Sequence, residues 1–251
     1  MKPQLLHLSS SPWSERARWA LQSRRVDYQP RTYKPLLGEP ELRWRLRKWS
    51  GPVSVPVLLT ADGALGDSWQ IAQFAARHGS GPELFPAADL ARIEAWNTLS
   101  EQGLAAGRAL SLARVLRDPA ALAELLPPAL RGVPGMEAVA AGGVRRTLAK
   151  YGASAEGNTE ALAAVLEKLR DDLAHSPSTA TPRTLLAEFS YADITMAQVL
   201  VFVRPPATGL KIGRANRAAF DDAALATRFA DLLAWRDALY AQYRGAPPPR
   251  P

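Results

Sequence analysis

The 251-residue chain has no cysteine, which excludes disulfides, thiolate metal sites and any redox step on a protein sulfur. A thiol in its chemistry has to come from a ligand. Histidine is scarce as well. His7, His78 and His175 lie far apart in sequence and form no metal-ligand spacing, so no metal is expected. No apolar run approaches the roughly 20 residues that cross a bilayer, and Leu5-Leu6 is too short for the core of a secretory leader. A soluble cytoplasmic protein without membrane association is expected. Zinc-finger spacings and Gly-rich phosphate loops are missing too.

What is present suits an ordinary globular protein. Apolar residues make up 47% of the chain, enough for one large domain or two modest ones. The net charge is +7, from 31 Lys and Arg against 24 Asp and Glu, with a pI near 10.0. The densest basic cluster, Arg43-Trp44-Arg45-Leu46-Arg47-Lys48, reads as a solvated helix face. The remaining arginines are scattered, so no nucleic-acid partner is expected. A positive field also suits an anionic small ligand.

The stretch Ser9-Ser10-Ser11-Pro12-Trp13-Ser14-Glu15-Arg16-Ala17-Arg18-Trp19-Ala20 marks a strand turning into a helix. Gln4 to Leu8 is a short apolar run, and Ala17, Ala20 and Leu21 fall at helical spacing. Pro12 suits the first helical position, since its φ is already helical and its missing N–H needs no partner there. Ser11 then sits beside free backbone N–H groups at the positive end of the helix dipole. It either caps the helix or helps to hold an anionic sulfur or oxygen.

Further along, Val26 to Tyr33 reads as a second strand and Glu41 to Trp49 as an irregular helix. Val53 to Thr60 reads as a third strand containing Pro56, and a fourth lies around Ala64-Leu65. Ser68 to Arg77 forms a helix with Ile71, Phe74 and Ala75 on one face, begun by Asp67 or Ser68. A proline inside a strand removes a ladder hydrogen bond. Two readings fit: a trans proline on an edge strand, or a cis Val55-Pro56 peptide that turns the Val55 backbone toward a ligand.

Ser11-Pro12-Trp13-Ser14, Val55-Pro56 and Asp67-Ser68, in this order and spacing, resemble the thioredoxin-like half of the serine-type soluble glutathione transferases. The resemblance implies an α/β thioredoxin-like N-terminal domain over 1–80, a linker over 81–88, an all-α domain over 89–244 and a Pro-rich tail over 245–251. It implies that Ser11 donates to the sulfur of glutathione, the cosubstrate, and that Val55, before the cis Pro56, pairs with the cysteinyl backbone. Asp67 and Ser68 would hold the γ-glutamyl end, with Asp standing where the family has Glu or Gln. Lys48 would meet the glycine carboxylate, and Trp13 would face the substrate cleft. A homodimer is the family habit.

Elementary chemistry is consistent with such a site. Ser68 at a helix start can take a carboxylate and Asp67 an ammonium. A thiol with pKa about 8.5 must ionise near neutrality, which takes about 1.4 to 2.7 kcal/mol. One hydrogen bond to a charged acceptor gives about 1.5 to 3 kcal/mol and a helix terminus about 0.3 to 1.

Beyond the Gly- and Pro-rich connector 78–86, a long helix starts at Asp89, with Ile93, Trp96, Leu99 and Gly103 on one face. Further helices are read over Ala120 to Leu126, Met136 to Tyr151, Thr159 to His175 and Ala223 to Tyr243. Ser176 to Pro182 reads as a polar, mobile connector. Ser190 and Asp193 form a capping box ahead of an apolar helix, as in the same family, and serve folding. The expected reaction is attack of glutathione thiolate on an apolar electrophile: conjugation, dehalogenation, ether cleavage or isomerisation. A non-catalytic carrier of apolar ligands with the same fold is the alternative.

Overall fold

The computed structural model describes residues 2–34, 38–151 and 157–245. The first third is a βαβ unit, a helix and a ββα unit: β1 (Gln4–His7), α1 (Pro12–Ser23), β2 (Gln29–Thr32), α2 (Glu39–Leu46), β3 (Val57–Thr60), β4 (Gly63–Leu65) and α3 (Ser68–His78). The sheet order is β2-β1-β3-β4, with β1 and β2 parallel and the other pairs antiparallel. Strand alternation splits the packing. Leu5 and Leu58 join the main core with α1 and α3, while Leu6 and Val57 pack on Leu42 of α2.

Strands are shorter than the sequence suggests. All four residues of β2 are exposed, so its β-branched and aromatic neighbours do not extend it. The Val55–Pro56 peptide is cis, and β3 begins only after it, because proline brings no N–H to the ladder. Helix α2 stops before Trp49, since Arg47 turns left-handed at φ 51°.

The remainder is helical: α4 (Leu90–Val115), α5 (Pro119–Leu125), α6 (Met136–Lys150), α7 (Asn158–Ala174), α8 (Tyr191–Val199), α9 (Arg214–Phe220), α10 (Ala223–Arg228) and α11 (Ala230–Leu239), ending in a π-turn over Tyr240–Arg244. Every residue of α8 is buried. Helices α1, α4 and α11 pack on it, so one core runs through both halves. Close approach requires glycine in α4: a Cβ at Gly107 would lie 2.5 Å from Phe202, and one at Gly103 2.7 Å from Val199.

The capping box forms as read. Ser190 Oγ accepts from the Ala192 amide at 3.2 Å, and Asp193 accepts from the Ser190 amide at 2.9 Å and the Leu185 amide at 2.8 Å. Two expectations are refined, one of a helix and one of a connector. The last helix is not continuous, because Phe229 (φ −115°, ψ 33°) separates α10 from α11. The 176–182 connector is a bonded loop: buried Ser178 accepts from the Ala180 and Thr184 amides at 3.2 and 3.1 Å. Of the expected tail, 246–251 lies outside the described residues. Among the described residues no helix is long and apolar enough to cross a membrane.

A buried polar cluster anchors α1. Glu15 is fully buried and pairs with Arg18 at 2.6 Å and with Arg244 at 2.5 Å. Arg18 also reaches His7 Nδ1 at 2.8 Å and donates to the Gly209 carbonyl at 3.1 Å. The neighbouring cation makes His7 an acceptor at Nδ1, and therefore neutral. Burial, then Arg18 and Lys211, lower its pKa to about 4.

Between the ordinary His pKa and this lowered one, the unfolded chain binds a proton at His7 that the folded chain does not, so stability from this residue falls as pH falls. Asp193, raised to about 7 mainly by burial, acts in the opposite sense over that window. The comparison is therefore with His7→Gln. Urea unfolding should show wild type losing about 2–3 kcal/mol relative to the variant between roughly pH 7.5 and 4.5. Equal pH dependence would remove His7 from this role.

Candidate active site

The sheet register brings the three singled-out segments to one end. Leu6 pairs with Val57, and Leu58 with Leu65. The close of β1, the start of β3 and the close of β4 therefore share an edge. Val55 and its cis peptide precede the first residue of this ladder in β3, and Leu8, just past the close of β1, accepts the Ser11 amide through its carbonyl at 3.1 Å.

Ser11 is the N-cap of α1, with extended backbone and Pro12 at the first helical position. Its Oγ accepts from the Ser14 amide at 3.4 Å. That contact uses a lone pair, so capping leaves the hydroxyl proton, which has no acceptor among the described residues. The two readings of Ser11 are thus compatible. Ser14 is buried, and its Oγ accepts from the Leu8 amide at 3.1 Å. It fixes the turn.

Val55 is half-buried, next to the cis peptide and outside the β1–β3 ladder. Asp67 caps α3, with Oδ1 accepting from the Gln70 amide at 2.8 Å. Its other carboxylate oxygen has no partner among the described residues. Ser68, 4% exposed, begins α3 beneath it. Lys48 is exposed beyond α2, and its ammonium has no partner among the described residues.

The facing wall comes from the helical half, and several of its residues were not singled out in the sequence. Trp13 is half-buried, and its Nε1–H donates to Glu101 of α4 at 2.8 Å. Glu101 also pairs with Arg16, whose guanidinium donates to Ser100 Oγ at 2.6 Å. The Arg108 guanidinium lies 4.7 Å from the Trp13 ring centroid and 3.6 Å from that of Tyr151. Lys150, at the end of α6, donates to the Val53 carbonyl at 2.8 Å and so ties the helical half to the segment before Val55. Glu101 and Arg108 stand seven positions apart, on nearly the same side of α4, which is the one local signal available. Among the described residues no cluster of His, Asp and Glu could hold a metal ion. A surface groove of about 360 Å³, bordered by Pro3 and Thr60, lies at the opposite end of the sheet.

Glu101 neutralises a buried guanidinium. Replacing it by alanine strips Arg16 of its carboxylate, and Glu101→Ala should lower the unfolding free energy by about 1.5–3 kcal/mol, with Glu101→Gln costing less. Denaturant titration checks this, and a change below about 0.5 kcal/mol would mean that the pair contributes nothing.

Residues 10–78 match the family model described as the glutathione S-transferase N-terminal domain. No curated protein matches the chain. Among solved structures, glutathione transferase GSTFuA2 from Phanerochaete chrysosporium is 18% identical with a TM-score of 0.65, covering 98% of this chain and 99% of that one. A glutathione S-transferase from Methylobacillus flagellatus with GSH bound is 16% identical, TM-score 0.59, covering 96% and 95%. One from Methylobacterium radiotolerans in complex with glutathione sulfonate is 16% identical, TM-score 0.56, covering 96% and 92%. Residues 10–78 therefore match the N-terminal domain of the glutathione S-transferases, and nearly the whole chain shares the fold of these structures.

Proposed function

We propose that this protein is a glutathione transferase in which Ser11 stabilises the thiolate of bound glutathione for attack on an apolar electrophile. The observation that carries the reading is the Ser11 hydroxyl proton, which has no acceptor among the described residues, at the N-terminus of α1 and at the same end of the sheet as the start of β3.

The tripeptide lies along that end. The Val55 backbone pairs with the cysteinyl unit in the manner of a short antiparallel ladder. Asp67, through the carboxylate oxygen not used in capping, takes the γ-glutamyl ammonium, and Ser68 at the helix start takes its carboxylate. Lys48 meets the glycine carboxylate. The sulfur sits before α1, where the Ser11 O–H and the helix dipole both favour the anion. The thiolate attacks the electrophilic carbon, a C–S bond forms, and the leaving group departs with its bonding pair. An added proton from water completes the step where the reaction is an addition. Trp13 borders the electrophile, with its N–H and ring already engaged by Glu101 and Arg108.

A cytoplasmic homodimer completes the reading, although a relative from Leishmania is described as a trimeric glutathione transferase. The absence of cysteine argues for conjugation-type chemistry over disulfide exchange on an enzyme sulfur.

Ser11→Ala should reduce turnover roughly ten- to a hundredfold, the worth of one charge-assisted hydrogen bond, with little change in glutathione affinity. The thiolate absorbance of the binary complex should move to higher pH. Turnover and thiolate titration equal to wild type would remove Ser11 from the mechanism. Glutathione binding without turnover across varied electrophiles would make the protein a carrier.

A further inference from the structure

We propose that Arg108 makes this site selective for electrophiles that bear an anion, a carboxylate above all, close to the reacting carbon. The proposal rests on the glutathione reading of the site and names its substrate class.

Arg108 stands out among the arginines of α4. Arg92 pairs with Asp89, and Arg114 with Asp222. Arg108 has no carboxylate within ion-pair distance and no acceptor for any guanidinium N–H among the described residues. Its only described side-chain contacts are the two ring faces, Trp13 at 4.7 Å and Tyr151 at 3.6 Å. A guanidinium carries five donors in one plane, and aromatic faces satisfy charge without using them. Burial lowers its pKa, opposed by Tyr151 and Glu101, and the side chain remains a cation at neutral pH because an arginine starts so high. It is a half-buried positive charge whose donors no group among the described residues accepts.

The nearby carboxylate of Glu101 is bonded elsewhere, Oε2 to Trp13 Nε1–H and Oε1 to Arg16, and forms no ion pair or hydrogen bond with Arg108 among the described residues. A second cation strengthens the field: Lys150 Nζ lies 5.0 Å from the Tyr151 centroid and is bonded to a carbonyl, not to an acid. Of these groups, Arg108 lies over the ring of Trp13, two residues after Ser11. An anion on the electrophile would thus meet a planar fork held in place by two rings, the arrangement that binds carboxylates in bidentate fashion. The ring contacts also restrict the side chain beforehand, so less freedom is lost on binding.

An arginine that only rivets α1 to the end of α6 would hold neutral and anionic ligands alike, and this separates the two roles. The test uses calorimetry with two conjugates of matched shape, S-(4-carboxybenzyl)glutathione and S-(4-carbamoylbenzyl)glutathione. Wild type should bind the carboxylate roughly ten- to a hundredfold tighter, less so at high salt. Arg108→Leu should bind the two equally, and Arg108→Lys should keep part of the preference. Equal affinities in wild type, with both conjugates bound, would overturn the proposal and leave the glutathione reading standing. Failure of wild type to bind either conjugate would bring down both. Should Arg108→Leu not fold, wild type and Arg108→Lys still decide the matter: a preference undiminished in Arg108→Lys would show that charge alone suffices, and would overturn the fork.

Discussion

A carboxylate taken wholly out of water must be met by donors, and Glu15 is such a carboxylate. Its partners determine where α1 can lie. Arg18 comes from the same helix, Arg244 from the last turn of the described chain. Arg18 then binds the close of β1 through His7 and the 209 loop through its carbonyl. Sheet, helix and C-terminal turn are held around one charge. Since Ser11 begins α1, the position of its hydroxyl over the sheet end follows from an ion cluster one turn further along the helix. Apolar packing of α1 against α3 and α8 supplies the burial, while the charges fix the orientation.

Much of this architecture could be read from local residues. Ser11-Pro12 announces a helix start, Ser190 and Asp193 a capping box, and Val55-Pro56 a break in pairing, because each signal resides in a few neighbouring residues. The buried charges of α1 could not be read that way. Glu15, Arg16 and Arg18 look like a solvated face beside Ala17, Ala20 and Leu21, yet all three are buried. Partners such as Ser100, Glu101, Gly209 and Arg244 stand between 84 and 229 positions away, and no local periodicity reports a distant counter-ion. The break at Phe229 escaped for the converse reason: Phe229, Leu232, Leu233 and Trp235 keep helical spacing across it, since hydrophobic pattern follows the core and not backbone continuity.

The candidate site divides along the same line. Its sheet-end wall, with Ser11, Val55, Asp67 and Ser68, is built from short-range features and was legible. Its helical wall, with Glu101, Arg108, Lys150 and Tyr151, depends on how α4 and α6 fall against Trp13 and Val53. Those residues are charged or polar positions on helices, indistinguishable in sequence from ordinary surface residues. Under the proposed function, thiol chemistry would belong to the legible wall and substrate choice to the other.

The bond between Glu15 and Arg244 spans 229 positions of sequence. During synthesis the ribosome delivers the sheet and α1 long before the arginine emerges, so until then Glu15 has Arg18 of its own helix as its one guanidinium among the two it meets in the finished chain. The charge cluster begun in the first helix is thus completed only by the last described turn, which links the two ends of the sequence through one carboxylate.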